Sequence, residues 1–401
     1  MLKVEETRKD FPLLNSGVIY LDNASTSLTP EPVLNRMLEF YRECRANVGR
    51  GVHRLSREAS EELSSAREKV RRFIAAGSGR EVIFTRNTTE GINLVAEGLR
   101  WEKGDEVVTT LLEHHSNLLP WLRLRERGVR VRMVKPDGEG VLKPEGFERE
   151  MGERTKLVAL THVSNVLGTM TPVEEIVKLA HERGARVLVD AAQSAPHLPL
   201  NVKKLGCDYL AFSGHKMLGP TGIGVLYVRE EHLDELEPLC LGGGTIEEVS
   251  SVGYRLTGSP ERYEAGTPPI AEAVGLGEAV EYLSQVGRGN LARHEGSLVR
   301  RLQRGLEELP GVEVYGPSDP DRRVGIVPFN VKGMGPHEVA TILDQSSNIM
   351  VRSGHHCAMP LHTEVLNRPE GTVRASVYLY NTEEEVESLV ETVGRIIREL
   401  L

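Results

Sequence analysis

The sequence predicts an α/β protein with two parts. The first is a large domain with a mostly parallel sheet covered by helices, and the second is a smaller α+β C-terminal domain. Three observations carry this. Between about residues 81 and 228, short runs rich in Val, Leu and Ala alternate with helical stretches, the pattern of parallel strands buried on both faces. The 401-residue length exceeds what one hydrophobic core usually serves. Polar residues gather just past the strand ends, where open α/β sheets bind ligands.

In chain order, residues 1–20 read as an arm leading to the apolar segment Val18–Leu21. Asp22-Asn23-Ala24-Ser25 follows, a turn whose composition commonly approaches ligands. Pro30–Arg45 has helical periodicity, Asn47–Leu55 reads as a polar loop carrying Arg50 and His53, and Arg57–Ala76 as a charged amphipathic helix. Glu81–Thr85 is a strand, followed by Arg86-Asn87-Thr88-Thr89-Glu90-Gly91 and a helix over Ile92–Leu99. A strand, two hydroxyl residues and a helix start favour an anion, through free N–H groups, hydroxyls and the helix dipole. Threonine is equally a plain helix cap, so both readings stand.

Strands are expected at Glu106–Leu111, Val129–Val134, Leu157–Thr161, Arg186–Asp190, Asp208–Phe212 and Gly224–Val228, with helices at Asn117–Arg127 and Pro172–Arg183. Leu241–Gly244 and Ala265–Pro268 bracket a region expected to be irregular and exposed. Ala271–Val286 reads as the helix leading out of the large domain. Beyond it, helices near Leu291–Leu309, Pro336–Gln345 and Thr382–Leu400 mix with strands near Val324–Asn330 and Ile349–Arg352. The expected division is 14–280 for the large domain, and 1–13 with 281–401 for the small one.

A net charge of −9 argues against nucleic acid or an anionic membrane as the main partner. Met1–Asp10 lacks the apolar core of a signal peptide, and no apolar run approaches bilayer length. A cytoplasmic address follows by elimination. Cys44, Cys207, Cys240 and Cys357 form no Cys-x-x-Cys pair, so no metal site or disulfide framework is expected.

Four strand ends in succession carry polar clusters: Glu113, His114 and His115; Ser164 and Asn165; Asp190 and Gln193; Ser213, His215 and Lys216. Together they define a site. A lysine held there, desolvated among other cations, has a depressed pKa and can condense with an aldehyde. Asp190 suits a protonated ring nitrogen, Gln193 can donate to a ring hydroxyl, and His114 can stack on the ring. Thr88, Thr89, Ser213 and His215 can hold a phosphate, and Asn165 a ring oxygen or a substrate carboxylate. These roles fit pyridoxal 5'-phosphate better than a nucleotide, since no Gly-x-Gly-x-x-Gly or Walker loop is present. In Arg352-Ser353-Gly354-His355-His356-Cys357, a cysteine beside histidines and an arginine favours its thiolate, with a weak metal site as the alternative. Arg374 is a buried-strand arginine suited to a substrate carboxylate or to a structural ion pair.

Nearly end to end, the chain resembles the cysteine desulfurases of the class V, fold-type I aminotransferase family, particularly the SufS-like second group. The motifs are Asp10-Phe11-Pro12, Asn87-Thr88-Thr89-Glu90-Gly91-Ile92-Asn93, Glu113-His114-His115, Thr161 to Gly168, Ser213-Gly214-His215-Lys216, Glu264-Ala265-Gly266-Thr267-Pro268 and Arg352 to Pro360. The resemblance implies a seven-stranded sheet and pyridoxal 5'-phosphate anchored on Lys216. It makes Lys216, Cys357 and His114 the catalytic residues, and Asn165, Arg352 and Arg374 the substrate-binding ones. It adds Thr267 to the phosphate site from the other subunit of a homodimer, and sets Arg50 and His53 near the mouth. L-cysteine would give alanine and a Cys357 persulfide for an acceptor protein, such as an iron-sulfur cluster scaffold or a shuttle. Ser353 stands where threonine is common in that family, and Thr245-Ile246-Glu247-Glu248 is more acidic than usual. A selenocysteine lyase or a true aminotransferase on the same scaffold, or a non-catalytic sulfur-transfer scaffold, remain the alternatives.

Overall fold

A computed structural model describes residues 2–400; the expected domain ends at Met1 and Leu401 lie outside them. The strands are β1 (Ile19–Tyr20), β2 (Val82–Thr85), β3 (Glu106–Thr110), β4 (Arg130–Val134), β5 (Thr155–Thr161), β6 (Arg186–Asp190), β7 (Tyr209–Ser213), β8 (Gly224–Val228), β9 (Ile246–Ser250), β10 (Gly253–Leu256), β11 (Val312–Val314), β12 (Ile326–Val331), β13 (Ile349–Met350), β14 (Arg352–Gly354) and β15 (Thr372–Ser376). Among the described residues, seven of them form the main sheet in the order β2-β8-β7-β6-β5-β3-β4. β8 runs antiparallel to both β2 and β7, and the remaining neighbours are parallel.

The strands are buried because successive side chains enter two different cores. Leu210 and Phe212 of β7 face one, whereas Tyr209 and Ala211 face the other. β8 repeats this with Val225 and Tyr227 against Leu226 and Val228. Each of the Leu, Val and Phe side chains among these is worth about 1.5–3 kcal/mol on burial. β4 departs from the expected buried strand. It is an edge, and Arg130 and Arg132 point outward.

A second sheet, β11-β12-β15-β14, packs on the helices Arg288–Glu307, Pro336–Ser347 and Glu383–Leu400 around its own core, with Leu302, Phe329, Leu343 and Leu389 inside. The N-terminal arm is folded rather than extended. Val4–Arg8 is helical, Arg8 pairs with Glu385 at 2.8 Å, and β1 adds parallel to β13. The region expected to be irregular contains an antiparallel hairpin, β9-β10, whose Val249, Val252 and Tyr254 are exposed. The short helix Pro144–Glu150 and strand β11 were not expected from the sequence.

Candidate active site

The C-terminal ends of β2, β5, β6 and β7 open into one cleft of about 250 Å³. Its anion-binding end follows from local chemistry. The Asn87 side chain caps the helix Thr88–Gly98 by accepting the Glu90 N–H at 3.0 Å. Asparagine is therefore the cap, which frees both threonine hydroxyls. The Thr88 N–H donates to Ser213 Oγ at 2.9 Å, the Thr88 and Ser213 hydroxyls lie 2.7 Å apart, and Thr89 Oγ1 meets Ser116 Oγ at 2.7 Å. Gly224 permits this approach. A methyl there would lie 2.6 Å from the Asn87 Cα. His215 Nδ1 meets Thr26 Oγ1 at 3.1 Å, and burial with the neighbouring Lys216 lowers its pKa to about 4.

Lys216 follows β7 directly. Burial depresses its pKa to about 8, a shift that Asp190 opposes and Arg374 reinforces, so near physiological pH it is still mostly protonated, with a minor neutral fraction far larger than that of an ordinary lysine. Asp190 ends β6 and accepts one side-chain hydrogen bond, from the Ala192 N–H at 2.9 Å. Burial raises its pKa; that bond and Lys216 only partly offset the rise. Burial, with Lys216 and His115 adding to it, lowers the His114 pKa to about 3, so its ring is neutral. Gln193 Nε2 donates one of its two N–H groups to the Ala24 carbonyl at 2.7 Å, and its buried Oε1 lacks a partner.

Cys357 is exposed and lines the same cleft as Lys216. Its two histidine neighbours are each engaged by another group. His356 Nε2 meets Thr372 Oγ1 at 3.0 Å, and burial keeps its pKa well below the ordinary value. His355 Nε2 reaches the Pro369 carbonyl at 2.6 Å. Arg374 is tied on one edge. It donates to the Asn165 carbonyl at 2.8 Å and pairs with Asp22 at 3.0 Å, while its buried Nε lacks a partner. The Asn165 amide donates to the His356 carbonyl at 2.7 Å, and Arg352 to Ser25 Oγ at 3.2 Å.

Thus Thr88, Thr89, His114, Asn165, Asp190, Gln193, Ser213, His215, Lys216, Arg352, Cys357 and Arg374 share one cleft. Thr267 is exposed outside it, beside Phe40 and Tyr41. Arg50 and His53 do not line it either. Arg50 reaches the Ile246 carbonyl at 3.5 Å, and His53 caps its helix through the Ser56 N–H. Sequence reasoning passed over Asn87 as the cap and Ser116 beside Thr89. Asn87 carries a readable signal, an asparagine at a strand-to-helix junction.

The donor set fits pyridoxal 5'-phosphate. A buried carboxylate short of partners, a depressed lysine and a hydroxyl-lined helix N-terminus match its ring nitrogen, aldehyde and phosphate.

The aminotransferase class-V model matches residues 19–389. A protein of Methanothermobacter thermautotrophicus named "Probable cysteine desulfurase" is 49% identical over 397 residues, covering 98% of each chain. The apo cysteine desulfurase of Thermococcus onnurineus superposes with a TM-score of 0.95 at 50% identity, over 100% of this chain and 99% of that one. The Escherichia coli cysteine desulfurase CsdA, in an S-sulfonic acid form, does so with 0.92 at 34% identity over 100% of both.

Proposed function

This chain belongs to the aminotransferase class-V family, and on that premise we propose how it works as a pyridoxal 5'-phosphate-dependent cysteine desulfurase. The observation that carries the reading is the meeting of Lys216 and Cys357, from distant parts of the chain, at one cleft. When bound, the cofactor supplies an electron sink for charge developing at the substrate Cα. Thr88, Thr89, Ser213 and His215 would hold its phosphate, Asp190 its ring nitrogen and Gln193 its ring oxygen, and His114 would stack on its ring.

The free Nε of Arg374, with Asn165 and Arg352, orients the carboxylate of L-cysteine. The neutral Lys216 amine takes the Cα proton. The Cys357 thiolate attacks the substrate sulfur. An S–S bond forms as the Cβ–S bond breaks, and the C–S electron pair stays with carbon, which is protonated and leaves as alanine. The persulfide on Cys357 then passes to an acceptor protein, and a loop at the cleft mouth suits that transfer.

We further assign the chain to the SufS-like group, serving iron-sulfur cluster assembly or another thiolation, in the cytoplasm. Among the described residues no helix is long and apolar enough to cross a membrane. The domains in this reading are 14–280, and 1–13 with 281–401. The Arg8–Glu385 pair supports joining the arm to the C-terminal part, although β1 crosses that division. Thr267, remote from its own cleft, serves the phosphate of a second copy in a homodimer.

Cys357→Ala tests the mechanism. The variant keeps the visible absorption of the bound cofactor and loses alanine and sulfide formation by about 10²-fold or more. Sulfide release at the parent rate would refute the persulfide role.

A further inference from the structure

One residue of the Glu113-His114-His115 run has no part in the mechanism above, yet it holds the nucleophile's loop. His115 opens the helical turn His115–Asn117, whose start is fixed by the Ser116 N–H donating to His114 Nδ1 at 3.1 Å. The His115 backbone N–H donates to the Cys357 carbonyl at 2.7 Å. Its ring Nε2 accepts the Met359 N–H at 3.1 Å. The two bonds hold the chain just after the Cys357 Cα, at its own carbonyl and at the N–H two residues on. A third anchor is the Asn165 amide on the His356 carbonyl.

Between these anchors the chain is strained. His356 and Cys357 are both left-handed, with φ of 49° and 57°, a conformation that residues bearing a Cβ rarely adopt. Two such residues in succession persist only where the surroundings over-determine them. The anchors supply that, together with the Ala358 N–H donating to the His355 carbonyl at 2.8 Å, and of the two side-chain anchors the Nε2 bond is the one outside the substrate-binding groups. We propose that His115 is a latch: a positioning residue whose ring holds the strained loop with the Cys357 thiol toward Lys216, and whose release lets the loop relax outward with its sulfur. This rests on the reading of Cys357 as nucleophile.

The latch needs a neutral ring, with the proton on Nδ1 and the lone pair of Nε2 facing Met359. Burial, with His355 nearby, lowers the His115 pKa, so the ring is an acceptor at neutral pH. Its Nε2 lies at the base of the loop rather than among the groups lining the cleft. A change there should therefore alter sulfur abstraction without altering the cofactor.

The test compares cofactor-loaded wild type, His115→Phe and His115→Gln. Phenylalanine keeps the bulk and the backbone bond but offers no acceptor, whereas glutamine returns an acceptor oxygen. In His115→Phe, kcat for alanine release falls about tenfold with KM and visible spectrum unchanged, as expected for a misplaced reacting group. Alkylation of Cys357 by iodoacetamide becomes several-fold faster, and His115→Gln restores both. Unchanged kcat and alkylation in His115→Phe overturn the latch. Equal losses in the Gln and Phe variants also overturn it, because the acceptor is then not what matters. Should His115→Phe fail to fold, amide hydrogen exchange at Met359 in the wild type decides: slow exchange supports the latch, and exchange at the rate of a free amide overturns it. If Cys357→Ala kept the parent rate of sulfide release, the desulfurase mechanism would fall, while alkylation and exchange would still judge the latch.

Discussion

Two buried aspartates on neighbouring strands of the main sheet are held in opposite ways. Asp208 lies at the start of β7, where it accepts from the Val187 N–H at 2.7 Å and His181 Nε2 at 2.8 Å, with Arg229 at 3.2 Å and His232 at 3.4 Å. Burial pushes its carboxyl up, but hydrogen bonds led by His232 and His181 outweigh that and hold it below the usual range. Asp190 ends β6 with a single backbone donor, and burial wins. The same residue type at opposite ends of one sheet thus serves two purposes. A fully partnered carboxylate is structural, and one left short of partners faces a ligand. Among the described residues, Asp208, Glu231 and His232 are also the one group placed to hold a metal ion, yet the Arg229 guanidinium already lies against both carboxylates.

The largest expected effect is at the structural end. Asp208→Ala strands two histidines and an arginine, and should cost about 3–5 kcal/mol in urea unfolding while folded protein keeps the cofactor spectrum. Asp208 adds stability fully above the unfolded carboxylate value of about 3.9, and that contribution fades as pH falls through its depressed folded value. At the other end, Asp190→Asn should lower kcat about 10²–10³-fold. Without cofactor its sign reverses. The raised pKa makes the native carboxyl lose stability as pH rises past the ordinary carboxylate range, so cofactor-free Asp190→Asn should match or exceed the parent in urea unfolding at pH 8. Thr88→Ala removes one hydroxyl from the anion site and should weaken cofactor binding about tenfold in absorbance titrations. Loss of cofactor affinity in Asp208→Ala would break the comparison outright.

Much of this was legible in the sequence where burial and periodicity act locally. The spans of β6 and β8 match the expected strands, because each is a short Val- and Leu-rich run. The hairpin β9-β10 was not legible, because both strands are solvent-exposed and carry no apolar alternation; Arg255 pairs with Glu247 and Glu248 instead. Helix Val4–Arg8 is too short for periodicity and is held by tertiary contacts. Residue types at the cleft were readable, but their partners were not. Asp22 meets Arg374 across 352 positions of sequence, and His115 meets Met359 across 244. One amide N–H of Gln193 meets the Ala24 carbonyl, 169 positions away.

The docked N-terminal arm has a consequence for how the protein is made. Arg8 donates to the carbonyl of Tyr380, 372 residues later. At about 5–20 residues per second, the arm leaves the ribosome on the order of 20–75 s before its resting place exists. The main sheet can assemble in that interval, but Asp22 cannot yet meet Arg374 and the Cys357 loop has not been synthesised. The nascent chain therefore has its lysine in hand before the thiol it works with has been made, and the two meet only after the C-terminal part is complete.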